Sequence, residues 1–137
     1  MGRSYWFECS KCGYRTKVSG GADRGLNFFV QTILCRDCRE LYDAVTRLKV
    51  PASGPEQSFS ASSRIAWERL QLKVAPSFMA VLNRLPAKGV KQFRWLDFKF
   101  KCPVSTFHRV QGWHDPGKCP RCGAYLEKNA VPYRLWD

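Results

Sequence analysis

The sequence predicts a small α+β protein in which two short antiparallel sheets flank a middle segment of helix and strand. Three observations lead to this fold class: strand-like segments alternate with cysteine turns in residues 1–50, residues 76–89 carry a helical apolar repeat, and residues 90–102 alternate aromatic and basic side chains. The predicted units are 1–50, a linker with an amphipathic helical segment at 51–90, and 91–137. Units this small bury little apolar surface and need a further source of stability.

The cysteines indicate what that source is. Six of the seven form three C-x-x-C pairs, and Cys102 begins a fourth pair in which Ser105 stands at the second cysteine position. Two C-x-x-C turns together supply four thiolates for a tetrahedral zinc site, with Zn–S near ~2.3 Å. Twenty-two residues separate Cys12 from Cys35, which is typical of one site shared by two turns. The predicted ligands of this first ion are Cys9, Cys12, Cys35 and Cys38.

The segments beside these turns have the composition of strands. "SYWFEC", "YRTKVS" and "NFFVQTILC" are rich in aromatic and β-branched residues. "LYDAVTRLKV" fits a strand, with a helix over 39–49 as the alternative. Gly13 follows Cys12, where the chain leaves the turn in a conformation that favours glycine. Residues 5–49 therefore resemble a zinc ribbon, and this resemblance implies a metal and a fold but no particular function.

A second zinc ion is predicted between the degenerate turn and the last C-x-x-C pair. Ser105 is a poor ligand, because a serine hydroxyl stays protonated near neutral pH. Both histidines of the chain lie between these half-sites. His108 is preferred because it directly follows the degenerate turn, and Asp115 ranks behind both histidines. The predicted ligands of the second ion are Cys102, His108, Cys119 and Cys122, with His114 as the alternative to His108.

Two other states of the second site stay open, namely three cysteines with a water ligand, and a site that binds no metal. A water ligand would suit catalysis, but the sequence has no H-x-E…P-C-x-x-C, H-E-x-x-H or G-x-S-x-G motif. We therefore expect a non-enzymatic protein with no small-molecule substrate. The whole chain resembles uncharacterised small bacterial-type proteins with two zinc ribbons, which implies no activity.

The charge balance points to an acidic partner. The chain has 23 basic and 11 acidic residues, a net charge of +12, and residues 51–101 contribute the largest excess. Such a charge favours nucleic acid or a nucleoprotein. The charge also fits a solubility effect or an acidic protein partner. The competing function is a protein-interaction module, a small adaptor or subunit within a larger assembly. The predicted phosphate contacts are Lys91, Arg94, Lys99 and Lys101, with Arg15, Lys17 and Arg24 from the N-terminal unit.

The middle of the chain predicts one helix and one strand. Apolar residues after Pro76 recur at helical spacing and are expected to face the core. Residues 90–102 predict a half-buried strand with a basic outer face, with Phe98 and Phe100 turned inward. The alternative is an exposed ring that stacks on a base. The apolar positions of the helix are Phe78, Val81, Leu82 and Leu85.

The apolar runs and the cysteines of the sequence also predict the cellular location of the protein. No apolar run approaches the ~20 residues that span a bilayer, and the first cysteine turn begins too early to leave room for a signal peptide. In a reducing cytosol, paired cysteines are typical of metal ligands rather than disulfides. A cytoplasmic protein with no membrane partner is expected.

Overall fold

The computed structural model describes residues 1–51, 77–83 and 93–137. Most of the predicted 51–90 segment, and Lys91, lie outside these residues. The part of the chain that the structure describes is mostly β-sheet, with two antiparallel sheets and one short helix, so the α+β prediction is wrong. The cause is the strand-forming composition of both terminal units, whereas helix in the described ranges is limited to six residues. That helix is not long and apolar enough to cross a membrane.

The first sheet is built around the N-terminal strand. Its neighbours come from the two ends of the chain: β2 follows β1 directly in a hairpin, and β8 and β9 are the last two strands. All pairings in this sheet are antiparallel. The strands are β1 (Gly2–Glu8), β2 (Arg15–Val18), β8 (Glu127–Lys128) and β9 (Arg134–Trp136).

The second sheet has five strands and is centred on the hairpin of β4 and β5. Along the strand order β3-β4-β5-β6 all neighbours are antiparallel, and β7 pairs with β4 beyond the residues that pair with β3. Strands from the predicted C-terminal unit therefore complete both sheets. The elements are β3 (Ala22–Arg24), β4 (Phe28–Cys35), β5 (Glu40–Pro51), α1 (Phe78–Asn83), β6 (Phe93–Asp97) and β7 (Val110–Gly112).

The ambiguous segment after Cys38 forms a strand, as its composition favoured. It pairs with β4 from Cys35↔Glu40 to Phe28↔Leu48, with one register shift between Phe29 and Val30. The helical alternative is wrong, because pairing with β4 buries apolar side chains of β5 and satisfies its backbone N–H and C=O groups with hydrogen bonds.

Two apolar cores stabilise the two sheets. Phe7 and Trp113 meet edge to face in the first, with ring centroids 5.3 Å apart. In the second, Trp136 stacks on Phe28 at 4.5 Å, so the last strand closes this core. Helix α1 packs on the same core through Val81, which is buried. The inward-facing stripe of the helix is thereby confirmed for Phe78, Val81 and Leu82, while Leu85 lies outside the described residues.

A buried hydrogen-bond network joins the sheets. Asp43 of β5 accepts hydrogen bonds from the Thr32 hydroxyl at 2.7 Å and from the Ser19 hydroxyl at 2.9 Å. The Ser19 amide donates to the same carboxylate at 3.0 Å. Burial raises the pKa of Asp43, and these hydrogen bonds oppose that rise. The end of the β1–β2 hairpin is thereby fixed against the second sheet.

Candidate metal centres

The eight predicted metal ligands come together in two clusters, but each cluster combines a turn from the N-terminal unit with residues of the C-terminal unit. The predicted grouping, with one ion per ribbon, is therefore wrong. Both clusters are compatible with zinc binding. The first centre is Cys9, Cys12, Cys119 and Cys122. The second centre is Cys35, Cys38, Cys102 and His108.

The spacing of the sulfurs in the first centre suits a tetrahedral metal. The Sγ atoms of Cys9 and Cys122 are 3.4 Å apart, and those of Cys12 and Cys119 are 3.6 Å apart. With Zn–S near ~2.3 Å, the edge of a regular tetrahedron is about 3.8 Å. The observed distances approach this edge and far exceed the ~2.05 Å of a disulfide. All four cysteines of the first centre are free thiols, so the centre is not a pair of cystines.

The second centre uses one imidazole. The Nδ1 atom of His108 lies 3.3 Å from the Sγ of Cys38, 3.4 Å from that of Cys102 and 3.6 Å from that of Cys35. The amide of His108 donates to the carbonyl of Ser105 at 3.2 Å, which turns the chain back toward Cys102. The backbone of Ser105, which stands at the second cysteine position of the degenerate pair, therefore forms the turn that brings His108 to the cluster.

Three cysteine turns share one backbone geometry. In each, the amide of the residue four positions on donates to the carbonyl of the first cysteine: Gly13 to Cys9, Arg39 to Cys35, and Gly123 to Cys119. Gly13 and Gly123 both have φ of 79°, which glycine adopts without strain, and Arg39 has φ of 54°. The expected role of Gly13 is confirmed, and the same conformation is held without glycine at Arg39.

The topology explains the crossed pairing. The Cys9–Cys12 turn caps the β1–β2 hairpin, and the Cys35–Cys38 turn caps the β4–β5 hairpin, so the two turns belong to different sheets. Strand β8 pairs with β1 at Glu8↔Glu127 and brings the third turn to the first. Strand β7 pairs with β4 at Cys35↔Val110 and brings His108 to the second turn. Each hairpin supplies two ligands, and the segment that precedes β7 or β8 supplies the other two.

Neighbouring thiols of the first centre have different pKa values. The backbone amide of Cys12 lowers the pKa of Cys9 to about 7. A hydrogen bond from the backbone at Tyr14 favours the Cys12 thiolate, but desolvation and the neighbouring sulfurs outweigh it and raise the pKa of Cys12 to about 12. Four sulfurs this close cannot all be thiolates without a positive charge among them. A divalent metal at this centre would supply that charge and displace the remaining thiol protons.

An ion pair connects the two centres. Arg121, between two ligands of the first centre, donates to Glu40 Oε1 at 2.6 Å. Tyr14 donates its hydroxyl to Glu40 Oε2 at 2.8 Å, and the Leu41 amide donates to the Tyr14 oxygen at 3.0 Å. Glu40 begins β5, directly after the turn of the second centre. The third cysteine turn is thereby held against the sheet that supports the other metal cluster.

The other predicted site residues that the structure describes are accessible. His114 is exposed and belongs to neither cluster. The expected inward orientation of Phe98 and Phe100 is met in part, because Phe98 packs on the second core while Phe100 is 37% exposed. The predicted phosphate contacts in the described ranges are all exposed: Arg15, Lys17, Arg24, Arg94, Lys99 and Lys101.

The sequence analysis missed a set of aromatic residues beside these cations. Trp6 lies opposite Lys17 in the β1–β2 hairpin, and Tyr133 lies beside both. Because a C-x-x-C-G turn closes the hairpin at Cys9 and Tyr14, counting back along both strands places Lys17 opposite Trp6. The pairing of Trp6 with Lys17 could therefore have been predicted from the sequence. Tyr133 is far away in sequence, and no local pattern places it there.

No protein-family model, curated protein or solved structure matches this chain. Membership of the zinc-ribbon superfamily therefore stays a prediction. The two zinc-compatible clusters are established by their geometry.

Replacing His108 with alanine is expected to lower the zinc content from two ions per chain toward one, because three cysteines then hold the second ion with an open position. The matched control is His114→Ala, which should keep two ions because His114 is exposed and outside both clusters. Elemental analysis of the purified variants measures the difference. Equal zinc content in both variants would contradict the assignment of His108.

Proposed function

We propose that this chain is a non-enzymatic, two-zinc protein that binds nucleic acid or a nucleoprotein through its basic surface. The observation that carries the proposal is the exposure of every predicted phosphate-contacting side chain in the described ranges, on a chain of net charge +12. Exposed cations neutralise phosphates and release counterions, which is the main source of affinity for nucleic acid.

A structural role for the zinc ions supports the non-enzymatic proposal. Each cluster offers four protein ligands, a number typical of structural zinc, whereas catalytic zinc keeps a position for water or substrate. The ions hold the hairpins and the strands of the C-terminal unit in place, and the basic side chains are displayed on that scaffold. The seven free cysteines suit a reducing cytoplasm, which is the location we propose.

Binding should depend steeply on salt. Each phosphate that the protein neutralises contributes a slope of roughly 0.7–0.9 in log affinity against log salt, so six such phosphates would lower affinity by roughly 1,000-fold between about 50 and 200 mM. Fluorescence anisotropy with labelled duplex DNA, single-stranded DNA and RNA measures the slope. The triple variant Arg94→Gln, Lys99→Gln, Lys101→Gln should reduce the slope by two to three, at roughly 0.7–0.9 for each cation removed. No retention of any of the three probes at low salt would contradict the proposal.

A protein-interaction module is the second candidate. Phe107 is 94% exposed and Val104 is 67% exposed, both in the segment between two ligands of the second centre. A contiguous exposed apolar patch is typical of protein-binding sites, and these two side chains lie only three residues apart in the chain. This candidate gains support if a co-purifying protein remains bound at high salt.

A further inference from the structure

A surface on the first sheet combines aromatic rings with cations. We call it the aromatic–basic face, and it consists of five residues. Trp6 and Tyr133 meet edge to face, with ring centroids 5.8 Å apart and an interplanar angle of 68°. Tyr133 is 44% exposed, and Trp6 is half-buried. The face is Trp6, Arg15, Lys17, Tyr133 and Arg134.

The cations of this face lie against the rings. Lys17 Nζ is 4.0 Å from the centroid of Tyr133 and 4.6 Å from that of Trp6. Arg15 Cζ lies 4.5 Å from the Trp6 centroid, and Arg134 Cζ lies 5.6 Å from that of Tyr133. Glu8 pairs with Arg15 at 3.9 Å and is the acidic residue opposite it in the hairpin. The five residues with Glu8 therefore keep a positive charge of two.

The hairpin register creates this arrangement. Trp6 faces Lys17 and Glu8 faces Arg15, so these side chains project from the side of the sheet opposite the buried Phe7 and Val18. Tyr133 is fixed beside β1 because its amide donates to the carbonyl of Ser4 at 2.7 Å. Backbone pairing thus holds both rings in place, and part of Tyr133 stays exposed.

We infer that the aromatic–basic face is a binding site for single-stranded nucleic acid, with an unpaired base stacked on the exposed ring of Tyr133 and the adjacent phosphates on Lys17, Arg15 and Arg134. This inference rests on the proposed function. Bases in a duplex already stack on each other, so an exposed ring selects a strand whose bases are free. Cations beside the rings supply the phosphate contacts that single-strand sites combine with stacking.

Two further observations favour this face. Lys17 also lines a groove whose wall includes Lys101 and Val104, so a strand that leaves the rings meets another predicted phosphate contact. The second sheet carries a comparable group, Trp95 with Arg47, but Asp97 pairs with Arg47 at 2.9 Å and neutralises it. Among the described residues, Lys17 and Arg134 of the aromatic–basic face form no ion pair with a carboxylate.

Tyr133→Ala tests the inference. We expect it to weaken binding to single-stranded DNA and RNA of about 12 nucleotides by roughly 5- to 150-fold, the range measured for loss of one base–aromatic stack. Affinity for a duplex of the same length should not change, because a duplex is held through its phosphates. The matched control is Tyr125→Ala, since Tyr125 is 63% exposed in the same C-terminal segment and lies outside the face. Fluorescence anisotropy at low salt gives all the affinities.

The outcomes separate the two proposals. Suppose that the native protein binds single strands. If Tyr133→Ala binds them equally well, or if the variant loses duplex and single-strand affinity to the same extent, the aromatic–basic face is not a stacking site and the proposed function stands. If the native protein binds no nucleic acid, the proposed function itself fails. If Tyr133→Ala lowers the melting temperature, two other variants test the face in its place. Tyr133→Phe, which keeps the ring, should keep the affinity for single strands. Lys17→Gln should reduce the slope of the single-strand affinity against salt by about 0.7.

Discussion

Replacing Cys119 and Cys122 with serine is expected to release Cys9 and Cys12, and not Cys102, to an alkylating reagent. The four cysteines of the first centre are placed to share one ion, so loss of two thiolates should remove that ion and expose the other two. The zinc content should fall from two ions to one. The five-stranded sheet keeps its own core and the complete ligand set of the second centre. Brief alkylation of the folded protein, followed by peptide mass spectrometry, identifies the reactive cysteines.

The reciprocal variant provides the control. Serine at Cys35 and Cys38 should make Cys102 reactive and leave the four cysteines of the first centre protected. If each ion were held within one ribbon, the results would be reversed: loss of Cys119 and Cys122 would release Cys102, and Cys9 and Cys12 would stay protected. Circular dichroism of both variants before alkylation verifies that strand content is retained.

Removal of both metal ions is expected to unfold the protein. A structural zinc ion contributes ~10–16 kcal/mol of apparent binding free energy near neutral pH, whereas a domain is typically stable by only about 5–15 kcal/mol. The centres also join distant parts of the chain: Cys9 and Cys122 are 113 residues apart, and Cys38 and Cys102 are 64 apart. Crosslinks over such separations strongly restrict the unfolded chain.

Thermal unfolding followed by circular dichroism measures this effect. With a strong zinc chelator and a reductant present, the cooperative transition should disappear, and added zinc should restore it while added magnesium should not, because thiolates bind Mg²⁺ poorly. A metal-free protein that melts at the same temperature as the zinc-bound form would show that the metal centres do not hold the fold together.

Local features of the sequence predicted the ligands and the hairpins. The C-x-x-C spacing marks a turn wherever it occurs, and Gly13 indicates how the first turn ends. Ser105 at a cysteine position, with His108 nearby, pointed to an imidazole in the second cluster, where the structure places it. These predictions depend only on neighbouring residues, which is why one sequence sufficed for them.

The pairing of half-sites could not be predicted in the same way. Each turn offers two sulfurs, and its spacing does not identify which other turn completes the tetrahedron. The partners are selected by the pairing of β7 with β4 and of β8 with β1, between strands of two and three residues. Such short strands carry almost no pattern of their own. The α+β prediction failed for a related reason: it gave the middle segment as much weight as the terminal units, which make up the sheets.

The most direct measurement of the crossed pairing is NMR correlation between ¹¹³Cd and protons in the cadmium-substituted protein. One cadmium ion should couple to the β-protons of Cys9, Cys12, Cys119 and Cys122. The other should couple to those of Cys35, Cys38 and Cys102 and to the ring protons of His108. A single cadmium ion coupled to both Cys9 and Cys35 would contradict the crossed centres and restore one ion per ribbon.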